Sequence, residues 1–376
     1  MEGEETKNLA TVVRVNGLQE IIGRDKIELA VIKGWKCIVN KGEFNVGDLA
    51  IYLAIDSVPD FEDPNFSWLR PKYNRVKTIK MCGVVSQGLL GPLEWYSGRG
   101  FDSTVLKELD DVSKEMGVTK YIAEEEAMQY GAGAGGGKQV VSTPFPHFVP
   151  KTDATRLQHY PDEFFDAIRG KSVVITRKED GCSCTFVARD GEFLICGRNF
   201  VFDSPNAGVR HYFDIEAKFG IRDKMLSLGR NLAIQGEIIG PKINGNRLRR
   251  VDRSFAVFDI FDIDAQEYVV FAEMCQLCSQ LGLATVPVLY QGPVSSLGFG
   301  LTIEDFLSFA EGVEYAPGVG AEGVVVKLDD DQDITTHAPP GVAPTADQEE
   351  EHGHQQYQKR LTFKVISNKY LMKHNL

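Results

Sequence analysis

Short apolar runs separated by turn residues fill the stretch from residue 9 to residue 60. Val12, Val13 and Val15 open one strand. Ile27–Val31 and Trp35–Val39 make two more on either side of Lys33 and Gly34, and Asn45 to Gly47 marks a turn before Asp48–Leu53. Gly83–Leu89 supplies a late strand. Runs about ten residues apart with turn signals between them predict a small β-barrel or sandwich, placed over residues 8–100.

The pattern then weakens. Residues 101–143 read as a connection, with a brief helical signal at Val105–Leu109, an acidic triplet Glu124–Glu126, and the glycine-rich Gly131–Gly137. Glycines and alanines give too little side-chain surface to form a core, so this stretch predicts a flexible linker. It is not a phosphate loop, because no Lys-Ser/Thr follows in register and no strand precedes it.

From Pro144 onward strands and helices mix. Pro161 to Arg169 is a short helix closed by Gly170. Residues 172–177 and 184–189 are strands, and Asp190-Gly191 turns the chain into Glu192–Cys196. Residues 232–239 and 254–261 are apolar strands. Phe271, Met274, Cys275 and Cys278 mark one face of a helix ending at Gly282. Thr302 and Asp305 form a capping-box pattern for a helix ended by Gly312. Glu322–Lys327 and Leu361–Ile366 are the last strands. The stretch between, residues 329–357, is rich in acids, prolines and histidines with almost no apolar content, and reads as a disordered insertion. Antiparallel strands with helices outside predict an α+β fold.

Composition narrows the class. With 376 residues the chain is long enough for two or three domains, and its 43% hydrophobic and 25% charged content is that of a globular protein. No apolar run approaches the ~18–20 residues that cross a bilayer. Met1–Glu5 is acidic with no apolar core behind it, so no secretory signal is expected, and the location expected is intracellular, cytoplasmic or nuclear. Seven cysteines fit free thiols in a reducing compartment better than a disulfide framework. Cys275 and Cys278 have no second pair at zinc spacing, so core packing is expected of them. A net charge of −12 disfavours nucleic-acid binding over the whole surface, so phosphate contacts must come from local basic patches. Residues 70–80 and 242–253 are two such patches. The second holds Lys242, Arg247, Arg249, Arg250 and Arg253 against one acid, Asp252. The commonest explanation of any one such run is a solvated charged face.

The chemistry centres on Lys178-Glu179-Asp180-Gly181, at the end of the strand that starts at Ser172. A lysine can act as a nucleophile only after losing a proton, and partial desolvation beside a divalent cation favours that loss. Alone, this tetrapeptide is an ordinary charged shoulder. It is followed in order by Arg198 at a strand end, Glu237 inside an apolar strand, Phe258 in an aromatic strand, Glu322 before Gly323, and Lys364 inside the last strand. A carboxylate in an apolar strand is costly unless paired or near a metal. Three acids of this kind beside one lysine suggest a cation site. Taken singly, Phe258 is more readily a core aromatic and Glu237 a salt-bridge partner.

In this order the elements resemble the motifs of the covalent nucleotidyltransferase superfamily that contains ATP-dependent ligases and RNA capping enzymes. The resemblance covers about residues 144–376, and extends upstream to Phe145–Asp153 with Arg156 and Gln158. DNA ligases and capping enzymes usually carry an arginine five residues after the lysine and an OB domain after the last motif. Here that position is Ser183, the chain ends ten residues after Ile366, and the small β-domain comes first. This arrangement resembles the ATP-dependent RNA ligases with an N-terminal OB domain. It implies a small OB-like β-barrel followed by an antiparallel-sheet, ATP-grasp-like ligase nucleotidyltransferase domain.

The resemblance also implies roles. Lys178 attacks ATP to form a lysyl-AMP, the AMP passes to an RNA 5′-phosphate, and a 3′-hydroxyl closes the phosphodiester in nicked or duplex RNA. Asp180, Glu237 and Glu322 hold Mg2+ or Mn2+ through its waters. Phe258 stacks on adenine with Val324 or Val326 opposite, and backbone groups near Thr176 and Arg177 read its edge. Arg198 contacts the ribose or the incoming 5′-phosphate. Lys327 and Lys364 take the α-phosphate, and Arg156 or Lys151 the pyrophosphate end. Many relatives have two lysines two residues apart in the last motif; Thr362 replaces the first here, with Lys359 as a substitute if its loop brings it near. Cys182 and Cys184, beside the lysine motif, suggest oxidation sensitivity. In the β-domain, Arg70, Lys72, Tyr73, Arg75 and Lys77 combine cations with an aromatic, as single-strand-binding grooves do, and are expected to grip RNA on the 3′-hydroxyl side. The alternatives are a DNA ligase, a GTP-dependent capping guanylyltransferase, or an inactive RNA-binding relative.

Overall fold

The computed structural model describes residues 8–70, 72–121, 143–152, 154–160, 163–206, 208–298, 300–329 and 361–376. The chain divides into two compact units. One comprises Met1–Ile122, Leu157–Asp162 and Asn368–Leu376, and the other Ala123–Arg156 and Glu163–Ser367.

In the first unit Ala10–Arg14 pairs antiparallel with Leu49–Leu53, which pairs with Leu89–Gly91. Gly17–Glu20, Ile27–Ile32 and Trp35–Asn40 form a second antiparallel sheet. Successive side chains of a strand point to opposite faces, and here both faces are buried. Ala10 and Val12 join Ile51, Leu53, Phe66 and Met116 in one core layer. Val13 and Val15 join Ala30, Ile32, Trp35 and Tyr52 in the other.

Three segments outside residues 8–100 belong to this unit. Residues 102–121, expected as linker, contribute Val112, Met116 and Val118 to the core. Their backbone bonds the Ala10–Arg14 strand, with Val12 N–H to Asp110 O at 2.9 Å and Val112 N–H to Ala10 O at 2.9 Å. The helical signal at 105–109 gives a short 3-10 turn, Ser103–Val105, capped by Asp102. The glycine-rich stretch and the acidic triplet lie outside the described residues. Gln158 O accepts from Gly34 N–H at 3.2 Å, and the His159 ring meets Trp35 edge-on at 5.2 Å. The closing helix Asn368–His374 is fastened by a 3.0 Å bond from Gln87 Nε2 to Asn368 Oδ1.

Among the described residues the second unit has two large sheets and a two-stranded one, Glu314–Ala316 with Val319–Gly320. In the larger, Cys182–Arg189 runs between Glu192–Cys196 and Leu232–Ile239, which pairs in turn with Ser254–Asp262. The smaller orders its strands as Thr155–Arg156, Thr362–Ile366, Gly323–Leu328, Ser172–Lys178 and Val288–Pro293. Helices Arg210–Phe219, Ile221–Ser227 and Phe271–Leu281 pack on one face of the larger sheet. There Tyr212, Ile215, Met225, Met274 and Cys278 meet Cys184, Phe186, Ile234, Ile238 and Phe255. Cys275 packs against the same cluster, and both it and Cys278 are free thiols. The expected capping box at Thr302 and Asp305 forms, and the helix Ile303–Glu311 follows it. Cys182 and Cys184 face the helices, so Ser183, Gln235 and Glu237 face the other way. The chemistry lies on that other face.

Candidate active site

Strand register brings the sequence-predicted residues together. In the smaller sheet Lys178 stands opposite Gly323, Thr176 opposite Val325, and Val174 opposite Lys327. Val325 in turn stands opposite Lys364, and Arg156 pairs with Lys364 across the parallel edge. Residues directly opposite each other project to the same face. Arg156, Thr176, Lys178, Lys327 and Lys364 therefore share one face. Val324 and Val326 project to the other and are 0% and 1% exposed. The expectation that they flank adenine fails on this alternation. Half-buried Val325 is the valine on the lysine side.

Two glycines make the motifs possible. A Cβ on Gly181 would lie 2.2 Å from Ile238 O, and one on Gly323 would lie 2.0 Å from Val365 O. Both positions need a residue without a side chain so that neighbouring backbones can close.

The Lys178 ammonium donates to Glu322 Oε2 at 2.9 Å. Burial alone would lower its pKa, but the charges of Glu322, Glu237 and Asp180 outweigh that and hold it above the ordinary lysine value. Burial pushes Glu237 up to about 8, and the Glu322 and Asp180 charges add to this against the pull of Lys178. Glu237 accepts the Gly181 N–H at 3.1 Å. Buried Asp180 accepts from Arg247 Nη1 at 2.8 Å and from Asn244 Nδ2 at 2.9 Å, and Asn244 also donates to Gly181 O at 2.7 Å. The side chain of Arg177 leaves this face, pairing with Glu179 at 2.7 Å and donating to Glu314 O at 3.2 Å. Its amide N–H is taken by Pro287 O at 2.9 Å, so it is not available to an adenine edge.

One further residue ties Lys178 to Glu322. The Tyr315 hydroxyl donates to Lys178 O at 2.9 Å and accepts from Glu322 N–H at 3.1 Å. It pins the backbone of both at once, while the Arg177 guanidinium sits 5.1 Å from its ring.

On the larger sheet the pairing shifts between Gln235 and Gly236, so Phe258 is the extra residue of a bulge. Phe258 and Asp259 thereby both meet the Lys327 ammonium, which lies 5.5 Å from the Phe258 ring and 2.7 Å from Asp259 Oδ2, and also bonds Phe258 O. Arg198 lies half-buried in the turn between Glu192–Cys196 and Phe200–Val201. Exposed Lys151 is held near the larger sheet through its neighbours: Pro150 O accepts from Gln235 Nε2 at 2.8 Å, and Thr152 contacts Ser183 Oγ at 3.0 Å. Lys359, His352 and His354 lie outside the described residues. Cys184 is fully buried with its thiol pushed far up by burial, which removes the basis for oxidation sensitivity there.

The basic strip of the first unit divides. Arg70, Lys72 and Tyr73, with Phe61 and Asn74, line an open cavity of about 460 Å3, and Arg70 also pairs with Glu62. Burial and the Arg75 charge pull Lys77 below its ordinary value. Arg75 itself is 7% exposed, pairs with Asp56 at 2.7 Å, and lies 4.1 Å over the Tyr121 ring. Its expected contact with RNA is corrected to a structural one.

Sequence reading passed over Tyr315, Asn244, Asp259 and Val325. It saw Arg247 only as part of a charge run. Asn244 and Arg247 lie in a basic loop that could have been tied to Asp180 by charge, but only register exposes Tyr315 and Val325.

Two sheets that present a strand-end lysine among carboxylates, with a separate small β-unit, make this a nucleotidyltransferase fold. Residues 171–338 match the RNA ligase family and residues 9–93 match an OB-fold domain. The chain is thus an RNA ligase with an N-terminal OB-fold domain, a pairing of domains that acts on nucleic acid. It is similar over its whole length to Naegleria gruberi RNA ligase, at 28% identity. An apo variant of that protein superposes with a TM-score of 0.78, covering 98% of this chain and 99% of that one. A variant with ATP and Mn gives 0.77 with the same coverage, and the structure with PPi gives 0.77, covering 98% of each chain. No curated protein matches by sequence. Among the described residues no helix is long and apolar enough to cross a membrane.

Proposed function

We propose that this ATP-dependent RNA ligase seals a 3′-hydroxyl to a 5′-phosphate through a lysyl-AMP on Lys178. The supporting observation is the Lys178 ammonium 2.9 Å from Glu322, within the field of Glu237 and Asp180, on a face shared with Thr176, Lys327 and Lys364. The relative's complexes with ATP, AMP, PPi and Mn match a reaction that consumes ATP and releases pyrophosphate.

The donor set fits a hydrated divalent cation. All three side chains offer carboxylate oxygen, the donor of Mg2+ and Mn2+. Asp180, Glu237 and Glu322 would hold it through its waters. When bound, the cation supplies positive charge that relieves the repulsion among these carboxylates and favours the neutral amine.

The chain's own groups do the rest. Neutral Lys178 Nζ forms a bond to the α-phosphorus as the bond to pyrophosphate breaks. Lys364 offers charge to the α-phosphate, with Lys327 once it exchanges Asp259 for phosphate, and Arg156 and Lys151 receive the pyrophosphate. Phe258 and Val325 bracket the base. An RNA 5′-phosphate oxygen, steered by Arg198, then displaces Lys178 from phosphorus. A 3′-hydroxyl attacks that 5′-phosphate, and AMP leaves. Arg70, Lys72 and Tyr73 contact the strand that carries the 3′-hydroxyl.

Matched RNA and DNA nicks incubated with ATP or GTP test this. Sealing of 3′-hydroxyl and 5′-phosphate RNA ends with ATP alone is expected. Sealing with GTP, or sealing of DNA in preference to RNA, would overturn the reading.

A further inference from the structure

We propose that the loop from Gly240 to Arg253 is a second RNA-binding surface, which holds the strand bearing the 5′-phosphate where it meets Lys178. The proposal rests on the RNA-ligase reading and deepens it.

The loop is built onto the nucleophile's own turn. Arg247 and Asn244 bond Asp180, two residues from Lys178, and Asn244 bonds Gly181 O as well. It is also fixed in itself. Asn246 exchanges two 2.9 Å bonds with the backbone of Arg250, Arg253 donates to Pro241 O at 2.9 Å, and Ile243 and Leu248 are buried. Lys242, Asn244, Asn246 and Arg249 all sit at positive φ, at 65°, 44°, 50° and 55°. Each such residue with a Cβ costs roughly 1 kcal/mol, and conformations of this kind persist where the surroundings over-determine them.

On this rigid frame the remaining charges point outward. Lys242, Arg249 and Arg250 are exposed. Val251, 90% exposed, adds an apolar surface suited to a base. The acid within the run is Asp252.

The chemistry supplies the partner. The attacking 5′-phosphate must reach the AMP on Lys178, and later phosphates of a stacked strand follow at about 3.4 Å intervals along its axis. They must leave the site over some neighbouring surface. A chain of net charge −12 repels them unless that surface is locally positive, and this loop is the basic surface anchored at Asp180.

The test separates the steps. Reversing Arg249→Glu and Arg250→Glu together should leave lysyl-AMP formation from ATP as in the unaltered protein. It should raise the KM for 5′-phosphorylated RNA at least tenfold in both AMP transfer and sealing. The slope of log affinity against log salt should shrink by about 1.4, at ~0.7 for each phosphate of a single strand that is no longer neutralised. Arg249→Lys with Arg250→Lys should retain most of the affinity. An unchanged KM and salt slope would overturn the proposal. If the reversed pair also loses lysyl-AMP formation, Arg249→Gln with Arg250→Gln decides in the same way: a raised KM and smaller slope support the surface, and unchanged values overturn it. Failure of the unaltered protein to seal RNA would instead overturn the ligase reading beneath.

Discussion

Replacing Tyr315 by phenylalanine removes one oxygen and keeps the ring under Arg177. Two hydrogen bonds disappear, to Lys178 O at 2.9 Å and from Glu322 N–H at 3.1 Å. At about 1 kcal/mol net for each bond, the relative placement of Lys178 and Glu322 loosens by about 2 kcal/mol. If that placement is needed in the transition state, lysyl-AMP formation slows roughly 30-fold, since about 1.4 kcal/mol is tenfold in rate. Single-turnover transfer from α-labelled ATP measures this, and the ATP dependence should stay unchanged because the hydroxyl is spent on backbone. Sealing of RNA already carrying AMP at its 5′ end does not use Lys178 as a nucleophile and should fall much less. A variant in which both steps fall equally, or neither falls, would refute a positioning role for Tyr315.

Other consequences are as concrete. Arg75→Gln should lower the stability of the protein by about 1–2 kcal/mol, by removing the Asp56 pair and the packing over Tyr121; an unshifted denaturant midpoint would contradict this. Gly323→Ala should cost about 1–3 kcal/mol and abolish lysyl-AMP formation by forcing the Thr362–Ile366 strand away. Gly320→Ala, where a Cβ meets nothing within 4 Å, serves as the neutral comparison. His211 is depressed from 6.5 to about 4, first by burial and then by the Arg253 charge. The folded state therefore binds fewer protons than the unfolded one across that window, so its contribution is complete above pH 6.5 and is lost as pH falls toward 4. Denaturant melts at stepped pH should show His211→Gln losing less stability over that range than the unaltered protein, and parallel losses would contradict the assignment.

The sequence carried the elements of the second unit well, because its strands and helices have strong periodicity and unambiguous stops such as Gly282 and the Thr302 capping box. The site's composition was also legible, since Lys178, Asp180, Glu237 and Glu322 are local motif residues. What it could not carry was face and partner. Val324 and Val325 are neighbours of the same type, and only pairing with Lys178's strand decides which one faces the lysine. Arg75 looks like any cation of a basic strip until Asp56 and Tyr121 enclose it. The first unit draws Val112, His159 and Asn368 from three distant parts of the chain, and no local pattern announces contacts of that range.

The lysyl-AMP proposal places the nucleotide on one amine, Lys178. Intact-protein mass and peptide mapping after incubation with ATP and Mn2+ test it most directly. One AMP on Lys178 is expected, released by pyrophosphate and absent from Lys178→Ala, which should neither gain AMP nor seal RNA from ATP. AMP on another residue, or RNA sealing from ATP by Lys178→Ala, would contradict it.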